Sequence, residues 1–174
     1  MLKVLLIFLT LFLVGHLNAQ QNKKFEFWVS SIDKAGNKRL TYYVSDDSVI
    51  IKDGPYNFIY FAKNYEGDTL VFQEQLNDPA KMIFRKIGNT LKKDSLKSLY
   101  DNLCIMDGLI LHFDFEWVDK NISSTISNIY VSKVQPFIAL INKNVPPKYK
   151  IIYNKRELDQ DLKNCDKYLK LKLK

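Results

Sequence analysis

Two hydrophobic periods divide the chain. From residue 25 the first is period two, with apolar and polar positions alternating as they do on a half-buried strand. FEFWVSSI (25–32) leads into the turn DKAGNK, RLTYYVS (39–45) returns, DD turns again, and SVIIK (48–52) follows. DGP and NYEGD bracket YNFIYFA (56–62), and TLVFQEQ (69–75) closes the series. Gly36, Gly54 and Gly67 stand alone in these breaks beside polar neighbours, as turn glycines do. Short turns between consecutive strands predict an antiparallel meander.

The period then lengthens to that of a helix. In NDPAKMIFRKIGN, Asp78 is placed to cap and Pro79 fits the first helical position, where a missing N–H costs nothing. Ile83, Phe84 and Ile87 form one stripe, and Gly88-Asn89 predicts the stop. A second helical piece is expected from Asp94 to Asn102, with Leu96, Leu99, Tyr100 and Leu103 inward. Alternation resumes at 108–118, turns at DKN, and returns as ISSTISNIYV (122–131), a hairpin. SKVQPFIALINKN is helical, with Val134, Phe137, Ile138 and Ile141 on one face and Pro136 in the first turn. KYKIIY (148–153) reads as a short strand. Asn154 and Glu157 resemble a capping box, opening a last helix that aligns Leu158, Leu162, Cys165 and Leu169. Residues 170–174 are expected as a frayed basic tail. The sum is an α+β fold: an antiparallel sheet, made of an N-terminal meander plus a later hairpin, packed against three to four helices.

The start of the chain follows a different rule. Lys3 precedes an apolar run from Val4 to Val14, and GHLNA ends on the small residue Ala19. That is the layout of a secretory signal peptide over residues 1–19, cleaved between Ala19 and Gln20. The run is short of the roughly 20 residues needed to cross a bilayer, and no later segment is long or apolar enough to do so. Residues 20–174 are then one domain, secreted or periplasmic, and the many Lys, Asn and Ile residues suit a bacterial, AT-rich source. Export changes how the two cysteines read. Cys104 and Cys165 are the only pair, and an oxidising compartment favours a disulfide between them.

Net charge is +7, carried by 26 Lys and Arg against 19 Asp and Glu. From Gln20 to Pro147 the signs nearly cancel, so the basicity belongs to the C-terminal stretch from Lys148. Only Arg39, Arg85 and Arg156 are arginine, the residue suited to bidentate grips on phosphates and bases. Specific nucleic-acid binding is therefore not expected, whereas attraction to an acidic or envelope-associated protein is.

Elimination limits the chemistry. Once His16 leaves with the signal, His112 is the only histidine, which excludes zinc sites needing two. No CxxC pair, Walker A loop, dinucleotide fingerprint or GxSxG elbow is present. No cofactor is expected. The one constellation left is GLILHFDFEW (108–117), whose His112, Asp114 and Glu116 project to one side of a strand. His112 and Asp114 suit a shared metal or an oriented base, with Glu116 two steps further away. The same residues also supply the polar outer face that a half-buried strand needs, opposite Ser123, Thr125 and Ser127. Asp46-Asp47 reads as a turn, and Asn121-Ile-Ser123 fits a glycosylation sequon at a tight hairpin tip. Trp28, Phe58, Tyr60 and Phe61 form a candidate aromatic contact surface. Two functions follow as expectations. The first is a non-enzymatic, inhibitor- or immunity-like interaction module. The second is a small secreted hydrolase or metal-dependent enzyme using His112 with Asp114 or Glu116.

Overall fold

A computed structural model describes residues 25–32, 39–45, 47–54, 67–93, 96–102, 104–105 and 108–172. The expected signal peptide, the strand YNFIYFA with Phe58, Tyr60 and Phe61, and Asp46 lie outside them. Among the described residues the fold is α+β: a seven-stranded sheet with three α-helices. The strands are β1 (Glu26–Ile32), β2 (Arg39–Val44), β3 (Ser48–Gly54), β4 (Thr69–Gln75), β5 (Leu99–Asp101), β6 (Ile110–Glu116) and β7 (Asn121–Ser127). The helices are α1 (Asp78–Lys93), α2 (Gln135–Asn144) and α3 (Lys155–Lys172). Strand order is β4-β3-β2-β1-β6-β7-β5. The meander and the β6–β7 hairpin are thus joined by β1 pairing β6, in the register Val29 to Phe113 and Phe27 to Phe115.

Alternation sends one set of side chains from every central strand to the same face. Phe27, Val29, Tyr42, Val44, Val49, Ile51, Leu111, Phe113, Phe115 and Ile126 are all buried there. α1 and α2 close over them through rings: Phe84 lies 6.0 Å from Phe27, and Phe137 lies 5.0 Å from Phe27 and 4.8 Å from Phe115. Each such aromatic removes about 1.5–3 kcal/mol worth of apolar surface from water. The segment after α2 caps the far end of this layer, where the Tyr42 hydroxyl donates to the Tyr149 carbonyl at 2.8 Å.

Local expectations are corrected at several points. Asn77, not Asp78, caps α1, its Oδ1 accepting the Ala80 N–H at 3.0 Å; Asp78 is the first helical residue. Gly88 does not stop α1 but sits inside it, because the Phe25 ring occupies the space a Cβ would need, 2.3 Å away. Of the helix expected from Asp94 to Asn102, the described residues 96–102 form no helix and hold β5, which runs parallel to its neighbour, β7. There Ser98 supplies a carbonyl to the Thr125 N–H and Lys97 one to the Ser124 hydroxyl, so edge pairing satisfies the backbone that a helical turn would have used. Lastly, KYKIIY forms no strand: Pro147–Tyr149 is a single 3-10 turn, and the chain then runs to Asn154 outside any ladder. At the C-terminus α3 extends through Lys172, so most of the expected frayed tail is helical.

Cys104 and Cys165 form a disulfide with their Cα atoms 5.4 Å apart, tying α3 to the loop after β5. At the end of β7, Asn128 adopts φ 53° and presses its side chain against Gly108, whose φ of 148° and lack of a Cβ permit the approach. Among the described residues no helix is long and apolar enough to cross a membrane.

Candidate functional site

The second face of the sheet carries His112, Asp114 and Glu116 together with Trp28, and it is polar without being open. Ser30, Arg39, Thr41 and Asp114 are all buried on it. Arg39 pairs with Asp68 in an ion pair whose side chains are both 2% exposed. The His112 and Asp114 side chains are 17% and 13% exposed, so the expected solvated surface is in fact sheltered.

Register explains what His112 meets. It stands opposite Ser30 on β1 and Thr125 on β7, while Asp114 stands opposite Trp28 and Ser123. The imidazole Nε2 lies 2.9 Å from Asp114 Oδ2, and Nδ1 lies 2.9 Å from Thr125 Oγ1. The other Asp114 oxygen accepts a hydrogen bond from the Ser123 hydroxyl. A carboxylate only accepts, so Nε2 carries the proton toward Asp114; in the neutral ring Nδ1 then accepts from Thr125. Glu116 does not join this chain. It lies two residues further along β6, opposite Glu26 and Asn121, where Glu26 accepts from the Tyr43 hydroxyl. Burial, and then the Glu26 and Glu116 carboxylates, hold that tyrosine hydroxyl well above its usual range. Trp28 lies half-buried between Tyr43 and Asp114.

The order Asp114–His112–Thr125 has the connectivity of an orienter, a base and a nucleophile. Its backbone setting differs from such a site. A hydroxyl nucleophile needs nearby N–H groups for the developing oxyanion, and the Thr125 N–H already donates to the Ser98 carbonyl at 2.8 Å. β7 is paired on both sides, which commits the neighbouring amides as well. A metal would have to displace one of the two ring hydrogen bonds. No three His, Cys, Asp or Glu residues among those described are grouped to hold one.

A separate opening lies at the ends of β1, β2 and β3 beside the segment after α2. It is a cleft of about 670 Å³, within the range of small-ligand and peptide pockets. Ile32, Leu40 and Leu109 form one wall; Tyr149, Ile151 and Ile152 form the other, with Lys148, Lys150 and Asp53 adding charge. The Lys148 ammonium lies 4.7 Å from the Tyr149 ring centre. A smaller cavity of about 130 Å³ adjoins it, sharing Leu109 and Ile152 and reaching Leu158 on α3.

Of the sequence-derived candidates among the described residues, Trp28, His112, Asp114 and Glu116, none lines this cleft. One signal for it was present in KYKIIY. Adjacent Ile151 and Ile152 cannot both face a core in an extended chain, and Ile152 is indeed 77% exposed while Ile151 is buried. Comparison with models of known protein families and with curated proteins finds no match.

Proposed function

We propose that this protein is an exported accessory module that acts by binding another protein, not by catalysis. The observation that carries this reading is the cleft: lined largely by apolar side chains, bordered by exposed lysines, and separate from His112, Asp114 and Thr125. The Cys104–Cys165 bridge and the apolar leader pattern support export. Lys148 and Lys150 at the cleft, within a lysine-rich C-terminal stretch, favour an acidic or envelope-associated partner.

A second reading, a small hydrolase, is favoured by the 2.9 Å spacings on either side of His112. Its weakness is the committed Thr125 amide. One experiment separates the two. The full chain, processed through its own leader and immobilised, is used to capture proteins from the exported fraction of its source. The captured protein is purified and titrated calorimetrically against wild type and His112→Ala. The binding reading expects one partner, bound with the same affinity by both. Turnover of ester or peptide substrates by wild type, lost in His112→Ala, sinks it in favour of the hydrolase.

A further inference from the structure

KYKIIY has the composition of a strand and lies where a strand would have no sheet to join. Lys150 is extended, with φ −69° and ψ 136°. Lys150, Ile151 and Ile152 are exposed, buried and exposed in turn, the alternation of an extended chain. One edge of this segment is already satisfied. Asn142 on α2 donates its amide to the Ile151 carbonyl at 2.9 Å and accepts the Ile151 N–H at 2.8 Å, imitating a ladder pair. An extended chain points the backbone groups of the next residue the opposite way. Those of Ile152 enter no hydrogen bond among the described residues, whereas on the same edge the Lys150 N–H is already given to the Pro147 carbonyl at 3.2 Å, so Ile152 is the residue that offers both groups. The Tyr153 hydroxyl clamps the far end, accepting from the Val131 N–H at 2.6 Å and donating to the Ile129 carbonyl at 3.1 Å.

We infer that Lys150–Tyr153 is a docking strand, to which a partner adds an extended segment carrying acidic and apolar side chains. Resting on the binding reading above, this names how the partner is held. Backbone pairing with a pre-extended segment provides affinity at low ordering cost, and neighbouring pockets select side chains. The pocket here is the cleft, with Ile32, Leu40 and Leu109 for the apolar residues. Charge selects the rest: the exposed Lys148 and Lys150 outnumber Asp53 in the lining, while Lys155 is taken up by Asp159 and adds nothing to that balance.

The probe is a fluorescent peptide of alternating glutamate and valine, titrated by anisotropy into the disulfide-bonded protein. Two controls replace glutamate by lysine, or methylate the peptide's backbone nitrogens on one edge. The acidic peptide is expected to bind at least about tenfold more tightly than either control. Its amide shift changes should concentrate on residues 148–154 and the cleft wall. Ile152→Pro, which removes the N–H, should abolish binding. Ile152→Asp, tolerated at so exposed a position, should do the same through charge and guards against a folding failure of the first variant. The inference is overturned if the acidic peptide does not bind, if methylation has no effect, or if the shifts gather around Trp28 and His112. It is also overturned if Ile152→Pro turns a dimer of this chain into a monomer, since the occupant is then a second copy. A partner captured equally by wild type and Ile152→Asp removes the docking strand and leaves the binding reading intact; the absence of any captured partner removes both.

Discussion

Gly88 shows how a single missing side chain can set a local structure. In an exposed helix, replacing glycine by alanine stabilises by about 1 kcal/mol. Here the Cβ would lie 2.3 Å from the Phe25 ring, which stacks on Phe84 at 5.0 Å and on Trp117 at 4.8 Å. Gly88→Ala is therefore expected to destabilise by about 1–3 kcal/mol through overpacking, seen as a lower urea midpoint with an unchanged slope. A higher midpoint would mean that Phe25 does not sit against α1. His112 offers a second test at this scale. Thr125→Val keeps the shape and removes the hydroxyl that serves Nδ1, at a cost of about 1–3 kcal/mol for a sheltered group left unpaired. Thr125→Ser should recover most of that loss in the same melt. The alternation of GLILHFDFEW, and the choice of Ser123 and Thr125 as cross-strand neighbours, were both legible in the sequence. The pairing of His112 with Asp114 was offered there as well, but which ring nitrogen meets which neighbour was not legible, because it depends on how the ring leans along its own strand.

Elements were legible where a face was buried. β1, β2, β3, β4 and β6 match their alternating runs to within about two residues, since a core on one side enforces the period, while β7 starts as expected but ends four residues early at Ser127. The failures share a cause. LKSLYDN, within the expected helix, has apolar residues at a spacing that suits one, yet it became β5 because β7 offered an unpaired edge, a fact set elsewhere in the chain. KYKIIY failed in the opposite sense, having strand composition but no edge to join. α3 poses a question of what holds it. Between Lys155 and Cys165 only Leu158 and Cys165 are buried, and Asn154 caps the start by accepting the Arg156 N–H at 3.0 Å. Over this described stretch the bridge to Cys104 is the main tether. Its sequence separation of 61 corresponds to about 4 kcal/mol on the chain-entropy account. Cys104→Ser with Cys165→Ser should lower stability by up to about that amount. Amide exchange should speed first and most across residues 155–165, while β1 and β6 stay protected. A uniform loss of protection would show that packing, not the bridge, holds the helix.

For the whole molecule, the tyrosines link folding to pH. Burial raises the Tyr153 hydroxyl to about 12 and pushes the buried Tyr42 hydroxyl further still; Tyr43 is raised by burial and by the Glu26 and Glu116 carboxylates. Each is neutral when protonated, so the folded chain holds these protons more tightly than the unfolded chain does. The unfolded chain begins to release them near the ordinary tyrosine value of about 10. Stability from this source is thus complete below about pH 10 and declines as pH rises toward the folded values. The expected result is a urea midpoint that is flat from neutral to mildly alkaline pH and falls steeply above about pH 10. Tyr42→Phe separates this linkage from general alkaline damage. It removes the bond to the Tyr149 carbonyl and should cost about 1 kcal/mol near neutral pH. Because it also removes one of the tightly held protons, its decline above pH 10 should be shallower than that of wild type. Parallel declines would mean that Tyr42 ionises as readily in the folded protein as outside it. That result would contradict the packing of the β2 face against the segment that forms the cleft wall.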